Sequence, residues 1–236
     1  MAGRASPTWG DFPIHQRWPA RHPERLQLYS VPSPNGVKVS IMLEETGLPY
    51  EAHRIDFGQG EQRSAAFLSL NPNGKIPAIV DPDGPGGEPL ALFESGAILL
   101  YLADKTGQLL PADPAARWHA IQWLFFQVGH IGPAFGHVGF FHKFEGRRWD
   151  DKSALDLHAA ESARLLGIMD AHLADRDWFV ADTFSIADIA MLGMVRNLIG
   201  FYGAGDLVGF NRFGHVAAWL ERGLARPAVQ RGLAIP

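Results

Sequence analysis

The chain has 236 residues, 47% of them apolar and 19% charged, with a formal net charge of −4 at pH 7 and no cysteine. That length buries a full core in one or two domains, and the small, interspersed charge argues against attraction to nucleic acid or membrane. Without cysteine there is no disulfide, thiolate metal site or cysteine nucleophile, so any thiol chemistry must use a thiol brought by a ligand.

No apolar run follows Met1, so a secretory signal is not expected. Glu94, Arg196 and several glycines interrupt the most apolar stretches, which argues against a membrane span. A cytoplasmic protein is the default expectation. Residues 1–25, rich in Pro, Arg, His and Trp and without a period, read as an extension on the surface or across a subunit contact. Leu26 to Ser30 alternates as a first strand. Ser33-Pro34 then predicts a capped helix through Leu43 and Glu45, ending at Gly47. A second strand over Tyr50 to Phe57, a polar loop over residues 58–63 and a short helix through Phe67 and Leu70 follow.

Two short apolar runs come next, Ile76 to Val80 and Leu90 to Phe93, separated by a Gly/Pro-rich turn, and they predict an antiparallel strand pair. The second leads directly into a helix from Ser95 to about Lys105. Pro77 at the start of the first cannot donate to the ladder, which suits an edge or a ligand-facing position. Glu94 and Ser95 put a carboxylate and a hydroxyl at a strand-to-helix junction, where an anionic group is favoured. A small peptide-like ligand carrying an amine and a carboxylate fits that combination. The order β-α-β-α-β-β-α predicts a mixed sheet with helices on both faces, a thioredoxin-like pattern.

Beyond Gly107 only helices are predicted. Asp113-Pro114 opens one, with Trp118, Ile121, Phe125 and Val128 at helical spacing, and Pro133 with its neighbouring glycines should bend or interrupt it. Leu155, Leu166, Met169 and Leu173 mark another, Ser185-Ile186-Ala187-Asp188 a capping box before a third, and Phe213, Val216, Leu220 and Leu224 a fourth. The expected organisation is an extension (1–25), an α/β domain (26–106) and an all-helical domain (107–236).

Four segments together resemble the glutathione transferase superfamily over residues 26–230: Ser33-Pro34-Asn35-Gly36, Asn71-Pro72-Asn73-Gly74-Lys75-Ile76-Pro77, Phe93-Glu94-Ser95-Gly96-Ala97-Ile98 and Phe184-Ser185-Ile186-Ala187-Asp188. Pro-Asn-Gly and Phe-Glu-Ser-Gly-Ala-Ile look most like its nu class, which is similar to the yeast prion-forming nitrogen regulator and includes bacterial disulfide-bond reductases. The resemblance implies a homodimeric, glutathione-dependent enzyme without a metal. It also implies a cis Pro77 that aims the backbone of Ile76 at the cysteinyl part of glutathione. Glu94 and Ser95 would hold the ammonium and carboxylate of the γ-glutamyl group, and Gln62, Asn73 and Lys75 would lie near the other parts of the tripeptide. The bland alternatives are a proline that shapes the strand entry, a capping Ser95 and solvated loop side chains.

By the same resemblance, Ser33 and Asn35 would activate the thiol, Ser33 standing where the class typically carries Thr. Lowering a thiol pKa by about 2 units takes about 2.7 kcal/mol. A hydrogen bond to a charged group supplies about 1.5–3 kcal/mol and a helix N-terminus about 0.3–1 kcal/mol, so one polar side chain plus the helix end suffices. Helix capping alone is the alternative for Ser33. His130, Phe135, His137, Phe140 and Phe141 fall where the family lines its second-substrate pocket, though core packing would explain them too. Histidine spacings of seven and five in this stretch do not fit a helical zinc pair. Leu157-His158 stands where related reductases carry an Arg-aromatic pair that seats a second glutathione, leaving Lys143, Arg147 and Arg148 as substitutes. Disulfide reduction by a protein without cysteine would consume two glutathiones and release the oxidised dimer. Conjugation of small hydrophobic electrophiles, or non-catalytic glutathione binding, are the alternatives.

Overall fold

The computed structural model describes residues 8–236; residues 1–7 of the expected extension lie outside the described residues. The chain forms two units, one ending at Thr106 and including Arg231–Pro236, the other Gly107–Gln230.

The first unit contains α1 (Ile14–Arg17), β1 (Leu26–Ser30), α2 (Gly36–Thr46), β2 (Tyr50–Arg54), α3 (Ala65–Leu68), β3 (Ala78–Asp81), β4 (Leu90–Phe93) and α4 (Ser95–Thr106). The sheet order is β2-β1-β3-β4. β1 runs parallel to β2 and antiparallel to β3, which is antiparallel to β4. This is the mixed, thioredoxin-like sheet that the element order predicts. Paired residues share a face, and the faces alternate along each strand. Tyr29 pairs with Ala78, and Val80 with Ala91; Tyr29, Ala78 and Val80 belong to one apolar cluster that includes Phe67 of α3. Leu28, Ile79 and Leu92, paired across the three strands, point the other way, and α2 and α4 pack together against β1 and β3.

Residues 8–25 lie largely at the surface but are anchored to the core of this unit. Ile14 is fully buried in the same cluster as Tyr29 and Phe67, and Trp9, Phe12 and Trp18 pack against it. The apolar residues of this segment show no period because α1 is a single turn of four residues. The last six residues also return to this unit: the Ser40 hydroxyl donates to the Gly232 carbonyl (2.7 Å), and Arg231 pairs with Glu44 (2.6 Å).

α2 begins two residues later than the Ser33-Pro34 signal predicts, at Gly36 with Asn35 at its N-cap, although Ser33 still bonds into its first turn. The Ser33 carbonyl accepts from Val37 N (3.0 Å), and its Oγ accepts from Gly36 N (3.2 Å). Gly47, at φ 68°, closes the helix. Gly36 is required by space: a Cβ there would lie 1.9 Å from the Val31 carbonyl oxygen. Only glycine lets the helix start so close to the end of β1.

The second unit contains α5 (Pro114–Phe126), α6 (Gly132–His142), α7 (Ser153–His172), α8 (Ile186–Arg196) and α9 (Gly214–Leu224). Asp113 caps α5 through Ala116 N (2.8 Å). The interruption expected around Pro133 is a π-helical turn over Gln127–Ile131, after which the helix resumes. Pro133 falls in the first turn of α6, where its missing N–H costs little. The capping box at α8 forms, and its acid does more than cap. Asp188, fully buried, accepts from Ser185 N, Ser185 Oγ, Phe179 N and Trp219 Nε1 at 2.9–3.1 Å. Burial pushes its carboxyl up to about 6 against the opposing pull of those donors. Among the described residues no helix is long and apolar enough to cross a membrane.

Two stability predictions follow from these close contacts. Asp188→Ala strands several buried donors at about 1–3 kcal/mol each, so the urea midpoint should fall by the equivalent of about 3 kcal/mol or more. Gly36→Ala forces a methyl against a backbone carbonyl and should cost about 2 kcal/mol in the same measurement.

Candidate functional site

The turn from β1 into α2 presents two polar side chains. Ser33 is half-buried, and Asn35, at the start of α2, is exposed. Capping uses an acceptor lone pair of the Ser33 hydroxyl and leaves its proton to be donated. The capping and chemical readings of Ser33 are therefore compatible.

Three residues further, Lys38 is only 1% exposed. Its Nζ donates to Asn35 Oδ1 (2.8 Å) and to Ser95 Oγ (3.3 Å). Burial pushes its ammonium down to about 7, and the Glu94 carboxylate nearby works in the opposite direction. Lys38 thus links Asn35, one of the two thiol-activating positions of the resemblance, with Ser95 of the γ-glutamyl position. The sequence reading missed it, because a lysine in an early helical turn reads as a solvated charge. The available signal was its setting: residues 36–43 around it are all buried.

β3 is entered through a cis Ile76–Pro77 bond, as the resemblance implies, and Ile76 is buried. The loop before it is latched by Asn71, whose Nδ2 donates to the Lys75 carbonyl (2.6 Å) and whose Oδ1 accepts from Asn73 N (3.0 Å). Asn73 and Lys75 side chains are exposed on this loop. Gly74, at φ 63°, passes so close to the Gln62 carbonyl that a Cβ would lie 3.1 Å from it. Gln62, Asn73 and Lys75 are thereby brought to one region, and Gln62 Oε1 is buried without a hydrogen-bond partner.

At the end of β4, Glu94 is exposed and adopts φ 72°. A non-glycine residue in the left-handed region costs about 1–2 kcal/mol. Its carbonyl accepts from Ile98 N (3.0 Å), so the helical hydrogen bonding starts at Glu94 and Ser95 lies inside the first turn of α4, 7% exposed. The strained step aims a carboxylate beside the helix N-terminus. Ser33, Asn35, Glu94 and Ser95 therefore offer hydroxyl and amide donors, a carboxylate and a helix end around one buried cation. Such a set matches a zwitterionic peptide with a thiol.

The second unit holds the remaining sequence-predicted residues. His130 is exposed with its ring 5.4 Å from Phe126, and His137 is exposed with its ring 4.3 Å from His158. Phe140 and Phe141 meet edge to face at 5.0 Å, and Trp149 contacts both. Phe141 also stacks on His158 (5.8 Å). Phe135, 1% exposed, packs inside the unit and presents no surface. Phe140, Lys143, Phe144, Glu145, Arg147 and Arg148 line an open groove of about 510 Å³. Among the described residues no group of three or more His, Cys, Asp or Glu is placed to hold a metal ion.

Residues 24–104 match the model of the glutathione S-transferase N-terminal domain, and residues 120–227 that of its C-terminal domain. Over 223 residues the chain is 40% identical to the disulfide-bond oxidoreductase YghU of Escherichia coli (strain K12), covering 90% of this chain and 74% of that protein. It superposes with a TM-score of 0.96 on a glutathione transferase from Pseudomonas putida, solved with one glutathione disulfide bound per subunit; identity is 59%, covering 98% of this chain and all of that one (100%). A glutathione transferase family member from Pseudomonas fluorescens pf-5, solved with two glutathione bound, gives a TM-score of 0.94 at 60% identity over 95% of this chain and 99% of that one. A cis-proline strand entry, a Glu-Ser strand-to-helix junction and a matching helical unit thus sit in one sequence that both domain models recognise: this chain belongs to the glutathione S-transferase family.

Proposed function

We propose that this chain is a glutathione-dependent disulfide-bond reductase of the nu-class type. The observation that carries the reading is the set of polar groups at the α2 and α4 starts, in which Asn35 and Ser95 share one buried ammonium beside Glu94. Glutathione lies along β3 with its cysteinyl backbone on Ile76, next to Pro77. Glu94 takes its ammonium, Ser95 its γ-glutamyl carboxylate, and Gln62, Asn73 and Lys75 the remainder. The Ser33 hydroxyl and the Asn35 amide donate to the sulfur, and the start of α2 adds its dipole, so the bound thiol ionises near neutral pH.

The thiolate attacks one sulfur of a disulfide, forming a mixed disulfide and expelling the other sulfur as a thiolate that takes up a proton. A second glutathione thiolate attacks the glutathione sulfur of the mixed disulfide, releasing oxidised glutathione and the second product thiol. Two glutathiones give up two protons and two electrons to one disulfide, which balances without a protein cysteine. The relatives solved with glutathione disulfide or with two glutathiones support a site roomy enough for both tripeptides. Lys143, Arg147 and Arg148 are the cations we assign to the second one, with His130, His137, Phe140 and Phe141 on the side of the second substrate. The cytoplasm, where glutathione is kept reduced, is the compartment this chemistry suits.

A second reading, conjugation of small hydrophobic electrophiles, is favoured by the exposure of Phe140 (38%) and Trp149 (51%) beside the groove. The same thiolate would then attack carbon and expel a leaving group. Turnover of a chloronitrobenzene with little reduction of hydroxyethyl disulfide would select it, and glutathione binding without turnover of either substrate would indicate a binding protein instead.

With glutathione, hydroxyethyl disulfide and a coupled glutathione reductase, wild-type protein should turn over well above background. Asn35→Ala should lower kcat/KM by about 10–100-fold and Ser33→Ala by about tenfold, the loss of one hydrogen bond to a charge. Background-level turnover by the wild type contradicts the reductase assignment. We also propose a homodimer, because Trp118 (68%), Phe125 (66%) and Val128 (42%) are exposed at helical spacing along α5 and the turn that follows it. Trp118→Glu combined with Phe125→Glu should sediment as a monomer where the wild type sediments at twice that mass.

A further inference from the structure

Lys38 is a buried lysine that bonds across two helix starts. Burying an ammonium is costly, and an apolar residue of the same length is often tolerated or preferred at such a position. Its hydrogen bonds give the reason for keeping it. We propose that Lys38 is a positioning residue: its ammonium occupies the acceptor atoms of Asn35 and Ser95 and so turns the donor ends of both toward glutathione, coupling recognition of the γ-glutamyl group to activation of the thiol. The inference rests on the glutathione reading above.

The chemistry of the three groups supports it. A lysine ammonium only donates, whereas an asparagine side chain has one accepting and one donating end. With Oδ1 held at 2.8 Å by Nζ, Nδ2 is the end of Asn35 that remains to meet a ligand. Without that anchor either end of the exposed amide could face the sulfur, and a carbonyl oxygen there would repel a thiolate. Ser95 Oγ likewise accepts from Nζ at 3.3 Å and keeps its proton for a carboxylate. Asn35 and Lys38 lie three residues apart at the start of α2, as neighbours on one helix face do, while Ser95 comes from α4, so a single side chain aligns two elements. Lys38 is 1% exposed, which leaves its charge weakly screened by solvent.

The test uses the full chain with Lys38→Met, which keeps length and removes the charge, and with Lys38→Gln should the first variant fail to fold. Three quantities are read: the pKa of bound glutathione from thiolate absorbance across pH, the Kd of S-methylglutathione, and kcat and KM for disulfide reduction. Removing Lys38 should raise the bound thiol pKa by about one pH unit, a tenfold fall in the ionisation constant of the bound thiol. It should also weaken S-methylglutathione binding about 3–10-fold through Ser95, and lower kcat about tenfold. In an Asn35→Ala background the thiol pKa should no longer respond to Lys38, because no amide remains to be oriented. An unchanged thiol pKa in the folded variants, or the same shift with and without Asn35, overturns the inference. If the wild type itself leaves the bound thiol at its solution pKa, the reading of the site fails instead. A wild-type pKa that is lowered, depends on Asn35 and ignores Lys38 refutes the role of Lys38 alone.

Discussion

The arrangement of this site depends on the approach of one helix start to one strand end. Gly36 stands where any side chain would collide with the Val31 carbonyl, and that carbonyl also accepts from Ser33 N at 2.7 Å. The chain therefore turns sharply out of β1, caps itself with Ser33 and enters α2 within five residues. Hydrogen bonds from Gly36 N to Ser33 Oγ and from Lys38 Nζ to Asn35 Oδ1 hold the hydroxyl and the amide of this turn before any ligand arrives. Preorganisation of this kind lets a single hydrogen bond to a developing charge be felt at nearly full strength.

A second constraint sits at the other helix start. Glu94 occupies a left-handed backbone conformation that side-chain chemistry disfavours, held by a paired β4 on one side and the first turn of α4 on the other. Strain kept at a strand-to-helix junction commonly marks a functional group being aimed. Lys38 lies between the two helix starts and bonds to both. In the second unit, the corresponding structural anchor is Asp188, whose buried carboxylate ties the start of α8 to Phe179 and Trp219. One unit thus uses a buried cation at its candidate site, and the other a buried anion for its fold.

Much of this was legible in the sequence because the signals are local. Strand β1 has the bounds that its alternation predicts, α2 ends at the glycine that caps it, and Ser185 and Asp188 form their capping box. Residues whose role depends on partners far along the chain were not legible. Lys38 owes its meaning to Ser95, fifty-seven positions away, and Ile14 to a core assembled from β1, α3 and β3. At Pro133 the expected bend or interruption is present, but its form was not legible: a wider π turn just before the proline shifts the hydrogen bonding without ending the helix. The family motifs were readable since each is a short segment, whereas the side chains proposed for the second substrate lie on α6 and the π turn before it, where aromatic residues also serve packing.

The central claim is that the first unit holds glutathione with its sulfur at the start of α2. A crystal structure of this protein with glutathione tests it most directly. The account predicts the cysteinyl backbone paired with Ile76, the γ-glutamyl group on Glu94 and Ser95, and the sulfur within hydrogen-bond reach of the Asn35 amide or the Ser33 hydroxyl. A sulfur directed away from both, or a tripeptide bound elsewhere on the chain, would contradict it.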